Sequence, residues 1–239
     1  MSINTWANFE YETRKRKAKK IADILNRRID LCGLRILDIG TGAGVCADYF
    51  SNKVVGPKGF VAAVDRTDQR IAKGNYHFQT IEGGELPFAD NSFNVVISNH
   101  VIEHVGGFNE KLLHLREISR VLKPGGNLYL AFPNRYSVIE PHYKLPFLSW
   151  LPQNLADLYV KWAGKGEYFN CQTPTRREFK KLLKGTGLNK KEITDEILMY
   201  FVENELVGFR QLIFRFFYPL IIHLFMPVVP TLVHLLEKK

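Results

Sequence analysis

Residues 35–44 (RILDIGTGAG) run from a short apolar stretch into glycines at 40, 42 and 44, and Val45–Asn52 beyond them has helical spacing. This junction constrains the fold more than any other feature. A buried strand that stops at glycine and passes into a helix opens a parallel sheet with crossover helices. Glycine permits the sharp turn, and the helix N-terminus offers unpaired N–H groups to a ligand. The alternation continues: Phe60–Asp65 (FVAAVD) predicts a second strand, Gln69–Gly74 a short helix, Tyr76–Glu82 a third strand and Phe93–Asn99 (FNVVISN) a fourth. Asn109–Leu122 carries Leu112, Leu113, Leu115, Ile118, Val121 and Leu122 at helical spacing. Pro124-Gly125-Gly126 ends that helix, and Asn127–Pro133 (NLYLAFP) is the fifth strand.

The second half is less regular. NRYSVIEPHYKLPFLSWLPQ is aromatic and proline-rich, and Asn154–Gly164 reads as a helix. Thr175–Lys184 reads as a basic amphipathic helix capped by Thr173 or Thr175, Leu188–Ile197 as a sixth strand and Thr231–Glu237 as the last. Between Phe216 and Leu236 no residue carries a formal charge, a length that would span a membrane, but Pro219, Pro227 and Pro230 argue against one straight helix. Glu203–Met226 is therefore expected as an apolar bent helix or hairpin, packed on the domain or dipping into a membrane surface.

With 239 residues, 46% of them hydrophobic and 24% charged, the chain suits one generous folded domain. A formal net charge of +9 would draw nucleic acid, anionic lipid or a phosphorylated substrate without choosing among them. Cys32, Cys46 and Cys171 form no CxxC pair, which argues against a disulfide framework and a zinc knuckle. The first residues lack the apolar stretch of a signal peptide, so a cytoplasmic location is expected.

Gly42-Ala43-Gly44-Val45-Cys46-Ala47 also fits the dinucleotide pattern G-x-G-x-x-A, and Asp65 is placed to accept both hydroxyls of a ribose. On these residues alone a nicotinamide-dependent dehydrogenase, another nucleotide-binding enzyme and a bare glycine turn all stay open. Further motifs follow. Glu82–Val96 (EGGELPFADNSFNVV) leads into Ser98–Val105 (SNHVIEHV), and Arg116–Gly126 reads REISRVLKPGG.

Taken with LDIGTGAG, these ordered motifs over residues 34–134 resemble the class I S-adenosylmethionine-dependent methyltransferases, in particular the branch that includes ubiquinone- and menaquinone-biosynthesis methyltransferases. The resemblance implies S-adenosylmethionine as cofactor, released as S-adenosylhomocysteine. Asp38, Gly40, Thr41, Gly42 and Gly44 would hold its methionine end, Asp65 its ribose hydroxyls and Arg66 its adenine face. Glu82, with the Gly83 backbone beside it, would take the adenine amino group, and Asn99 would stand where the methyl donor lies. Glu82-Gly83 replaces the more usual Asp-Ala, and Phe93-Asn94 the usual Phe-Asp. The expected fold is α/β: a Rossmann-like, doubly wound, seven-stranded and mostly parallel sheet with its last strand antiparallel, plus helical additions on the acceptor side. A single domain over 1–239 would comprise a basic helical segment (1–33), a cofactor-binding core (34–134), an acceptor-side insertion (135–174) and an apolar helical segment (199–230).

Methyl transfer asks a protein for alignment, and for a base only when the acceptor must lose a proton. His100 and His104, flanking Glu103 just past the fourth strand, and His142, after the fifth, are the base candidates; the plainer role is a structural or cofactor-shelf one for His104, as the resemblance implies, and a hydrogen-bonding loop histidine for His142. Some quinone-pathway relatives hold a divalent metal with a Glu/Glu/His group where this chain has His100, Glu103 and His104. With the first acid missing, no metal site is expected. Tyr136, Glu140 and Tyr143 are placed to orient an acceptor.

The apolar Leu206–Met226, with Arg210 and Arg215 to meet phosphates and basic Arg14–Lys20 and Arg176–Lys184 to add attraction to anionic lipid, leads us to expect a small or lipid-linked acceptor, a quinone precursor or a glycan, methylated on oxygen or carbon. Peripheral contact with the inner face of the membrane through Leu206–Met226 is expected with it. An RNA methyltransferase is an alternative, weakened because no Asp/Asn-Pro-Pro-Tyr-type motif follows the fourth strand, and nucleic acid is not an expected partner. A non-catalytic cofactor-binding scaffold is another. The oligomeric state is not legible.

Overall fold

The computed structural model describes residues 3–206, 208, 214, 216, 218 and 224–239. A long helix, α1 (Ile3–Asn26), precedes β1 (Arg35–Ile39), α2 (Val45–Lys53), β2 (Phe60–Asp65), β3 (His77–Thr80), β4 (Phe93–Asn99), α3 (Phe108–Val121) and β5 (Leu122–Pro133). Then come α4 (Gln153–Trp162), α5 (Arg176–Leu182), β6 (Leu188–Glu192), α6 (Thr194–Asn204) and β7 (Thr231–Lys238). The strands form a seven-stranded sheet in the order β3-β2-β1-β4-β5-β7-β6. β1, β2, β3, β4 and β5 run parallel, and β7 is antiparallel to both β5 and β6.

Alternate residues of each strand serve opposite faces. Leu37, Val64, Val96, Leu128 and Leu130 pack with Leu115 and Ile118 of α3 and Phe179 and Leu182 of α5. Ile36, Val61, Val95, Ile97 and Tyr129 pack with Ile21 and Leu25 of α1, Phe50 of α2 and Tyr200 of α6. Both faces of the inner strands are therefore covered, which explains their unbroken apolar sequences. The chain winds outward in opposite directions from β1 and β4, leaving a crevice at their carboxyl ends where ligands of such sheets bind.

Four expectations require correction. Gln69–Gly74 is not a helix: the N–H groups of Ile71 and Ala72 both bond the Ala43 carbonyl at 3.0 Å, and the Asp68 carboxylate takes the Arg70 guanidinium, so the segment is tied to the glycine turn. The third strand is confined to His77–Thr80. α3 stops at Val121, ahead of Pro124, because Leu122 already pairs with Phe93; the Pro-Gly-Gly run sits within β5, opposite a register shift between Phe93 and Val95. The sixth strand ends at Glu192, and α6 begins at Thr194 with Asp195 and Glu196 in its first turn, where acids suit the positive end of a helix. Between the two alternative caps for α5, Thr175 forms a full capping box with Glu178. Of the expected apolar helix at Leu206–Met226, only 206, 208, 214, 216, 218 and 224–226 are among the described residues, so the greater part of it, Arg210 and Arg215 included, lies outside them. Among the described residues no helix is long and apolar enough to cross a membrane.

Candidate active site

The turn after β1 is left-handed at Gly40, Gly42 and Gly44. At Gly44, with φ 76°, a Cβ would stand 2.4 Å from the Ala72 carbonyl oxygen, so only glycine fits. At Gly42 the nearest atom to such a Cβ is Arg14 Nη1 of α1, 3.9 Å away, so this glycine opens its face to a ligand beneath α1. Asp38 is buried at the end of β1 and accepts the Thr41 hydroxyl at 2.7 Å; burial pushes its carboxyl up to about 7. A cationic amine brought to it would favour the ionised form. Asp65, closing β2, accepts the N–H groups of Gly42 and Arg66, both at 2.7 Å. Glu82 and Gly83 lie exposed beyond β3, and nothing stands within 4 Å of a Cβ at Gly83. Asn99 ends β4, half-buried. The expected cofactor residues thus all lie at or just past the carboxyl ends of β1, β2, β3 and β4.

Beside them, one acid gathers the histidines. Glu103 is fully buried, and its Oε1 stands 3.2 Å from His100 Nδ1 and 3.2 Å from His142 Nε2. Burial opposes its charge, but the two imidazole N–H donors outweigh that and hold its carboxyl below the usual range. The bond to Glu103 raises the pKa of His142, whereas burial lowers that of His104. The His142 ring meets those of His100 and His104 edge-on, at centroid distances of 5.3 and 5.2 Å. His100, Glu103 and His142 each offer a ligand atom, all within 4.8 Å of one another. His104, the third member of the sequence motif, is replaced in that group by His142.

A cavity of about 460 Å³ borders this cluster, lined by His104, His142, Tyr143, Lys144, Lys165 and Asn170. A second, of about 290 Å³, lies between the start of α3 and the segment before α5, with Lys111, Arg135 and Cys171 in its wall. Sequence reasoning missed the buried Ser98–His114 pair, 3.2 Å apart, in which burial lowers the imidazole to about 4. It also passed over Cys171, whose neighbours Glu140 and His142 lie some thirty positions away. No local pattern signals either.

The sequence profile described as "Methyltransferase domain" matches residues 37–130. The chain is 32% identical over 168 residues to a demethylmenaquinone methyltransferase of Chlorobaculum parvum, covering 66% of this chain and 67% of that protein. It is 31% identical over 200 residues to a ubiquinone biosynthesis O-methyltransferase of Rickettsia akari, covering 75% and 73%. A solved S-adenosylmethionine-dependent methyltransferase from Mesorhizobium loti superposes with a TM-score of 0.57 over 88% of this chain and 93% of that one; at 15% identity this speaks for the fold alone. A doubly wound sheet with a glycine turn and an acid at its switch point is the frame of proteins that bind an adenosine-bearing cofactor. The chain belongs to the S-adenosylmethionine-dependent methyltransferases.

Proposed function

We propose that this enzyme methylates an aromatic, lipid-linked acceptor of the quinone-precursor type, on a ring oxygen or carbon, with His100 as the proton acceptor. The observation that carries this reading is the His100–Glu103 pair at the mouth of the crevice. A carboxylate can only accept, so with Glu103 on Nδ1 the His100 ring keeps its lone pair on Nε2, as in other carboxylate-oriented catalytic imidazoles. His100 is also held at φ 59°, sparsely populated for a residue with a side chain, with its N–H bonded to the Ala131 carbonyl at 2.8 Å. Residues held in this region cluster at active sites, although Asn91, Lys144 and Phe147 share it here, so the hydrogen bond to Glu103 carries the assignment.

Bound S-adenosylmethionine supplies a methyl group already activated on a sulfonium sulfur. Asp38, Thr41 and the turn through Gly40, Gly42 and Gly44 would hold its amino-acid end, Asp65 its ribose, and Arg66, Glu82 and Gly83 its base, with Asn99 alongside. His100 Nε2 would take the acceptor's hydroxyl proton, making its oxygen or ring carbon the nucleophile; the methyl would pass to that atom as the sulfur leaves with the C–S electron pair as the neutral thioether of S-adenosylhomocysteine, and Glu103 would balance the imidazolium. Alignment supplies most of the acceleration, and the base contributes on the order of 10²–10⁴-fold.

Two observations support an apolar acceptor. The relatives above are named for quinone biosynthesis. The acceptor-side insertion also presents Leu155, Leu158 and Trp162 on one face of α4, with Trp162 86% exposed, beside exposed Phe147 and Trp150. Such a face suits peripheral seating in a bilayer interface, the location we propose. The test is transfer of labelled methyl from S-adenosylmethionine to a catechol or hydroquinone bearing a short prenyl chain, to the same ring without it, and to RNA. Label in the prenylated product is expected. Label only in RNA, or only in the bare ring, overturns the acceptor assignment.

A further inference from the structure

Glu140 follows β5 and is fully buried; the Tyr143 N–H holds its Oε2 at 2.6 Å, while among the described residues its Oε1 has no hydrogen-bond partner. A buried carboxylate oxygen left in that state is costly unless a proton or a cation completes it. Its neighbours suit a cation. Glu140, His142 and Cys171 each present one ligand atom, all within 4.8 Å of one another. In a tetrahedral zinc site, bonds of about 2.0–2.3 Å place ligand atoms roughly 3.5 Å apart, so modest contraction closes the set.

Each of these groups also has an outer partner of the kind that orients metal ligands. Glu103 accepts from His142 Nε2, which leaves the lone pair on Nδ1. The Tyr143 N–H fixes the Glu140 carboxylate, and the Thr173 hydroxyl lies 3.5 Å from Cys171 Sγ. The insertion has reason to need a staple. Its own core is small: Leu148, Ala156, Val160, Phe169 and Cys171 are buried, with Tyr143, Leu145, Leu151 and Tyr159 packed against them.

We propose that Glu140, His142 and Cys171 form a Zn²⁺ site that ties the loop after β5 to the segment before α5. Thiolate, imidazole and carboxylate together favour zinc over magnesium or calcium. Three protein ligands leave a fourth position for water. His142 then serves the metal, and His100 remains free for the proton.

The test uses the full chain, stripped with a chelator and titrated with Co²⁺ as the optical probe and Zn²⁺ as competitor. One equivalent of Co²⁺ should bind with a sulfur-to-cobalt charge-transfer band that Zn²⁺ abolishes. Cys171→Ser should remove the band and Glu140→Gln should weaken uptake sharply. Thr173→Ala should weaken it about 10- to 100-fold, as loss of an outer partner does. His100→Asn should leave the band in place. Affinity for S-adenosylhomocysteine, measured on every variant, reports that the cofactor core has folded. Absence of stoichiometric uptake, a band that survives Cys171→Ser, or metal bound without a sulfur band and lost with His100→Asn each overturns the site. Any of these leaves the methyltransferase reading standing.

Discussion

The Gly42 N–H donates to Asp65 Oδ2 at 2.7 Å, so the acid that ends β2 holds the glycine turn that follows β1. The same carboxylate caps the Arg66 N–H and has lone pairs to spare for a ribose. Removing it should loosen the turn and strip two acceptor atoms from the cofactor site together. We expect Asp65→Ala to weaken S-adenosylhomocysteine binding by about 1.5–3 kcal/mol, the range for hydrogen bonds to a charged group, with Asp65→Asn in between. Calorimetric titration decides this, and an unchanged Kd for Asp65→Ala removes the ribose assignment.

His100 can be tested without disturbing its backbone. Asparagine tolerates left-handed φ better than most residues with side chains, so His100→Asn keeps the turn at φ 59° while deleting the base. Turnover with a phenolic acceptor should fall by roughly 10²–10⁴-fold, with S-adenosylhomocysteine affinity held. Wild-type kcat in this variant would make His100 a structural residue.

Much of this architecture was legible from residues 35–133, because each strand there is an apolar run bounded by breakers and each inner strand is covered on both faces. Phe60–Asp65 and Phe93–Asn99 fall where the sequence placed them. Three of the four errors share one cause. At Gln69–Gly74, Leu122 and Glu192 the local pattern was overruled by hydrogen bonds to distant segments: the Ala43 carbonyl, the edge of β4 and the antiparallel β7. The site was legible as far as its residues sit in motifs. The joining of His142 to Glu103, 39 positions apart, and of Cys171 to Glu140 is made by the fold of the insertion, whose irregular sequence carries no period to read.

His234 on β7 is buried against Phe179, its ring stacked at 4.7 Å, and among the described residues neither ring nitrogen has a hydrogen-bond partner. Burial, with Lys190 and Arg176 nearby, lowers its pKa to about 2. The sign follows directly. Below about pH 6.5 the unfolded chain binds a proton that the folded chain refuses, so this group's contribution to stability is lost as pH falls from there towards 2. His114, lowered to about 4, acts in the same direction down to that pH. Replacing His234 with leucine also removes two buried unsatisfied polar atoms, so His234→Leu should gain about 1 kcal/mol at pH 7 and more at pH 5. Urea unfolding at the two pH values measures both, and a pH dependence equal to wild type would show that His234 does not set the acid response.

The exposed face of α4 gives the last prediction. Leu155, Leu158 and Trp162 are 52%, 63% and 86% exposed, while Ala156 and Val160 of the same helix are buried in the small core of the insertion. Their spacing of three and seven puts the three exposed side chains on one stripe, apart from Asp157 and Lys161. Full burial of a large apolar side chain is worth about 1.5–3 kcal/mol, so partial insertion of two such groups accounts for at least about tenfold in partitioning. Leu158→Asp combined with Trp162→Ser should therefore lower cosedimentation with anionic vesicles by that factor. S-adenosylhomocysteine affinity should stay unchanged, because the stripe lies on the insertion and the cofactor residues lie at the ends of β1, β2, β3 and β4. Activity on the prenylated acceptor presented in vesicles should fall in parallel, and activity on the same acceptor in detergent should not. Equal cosedimentation of variant and wild type would detach this face from any membrane role.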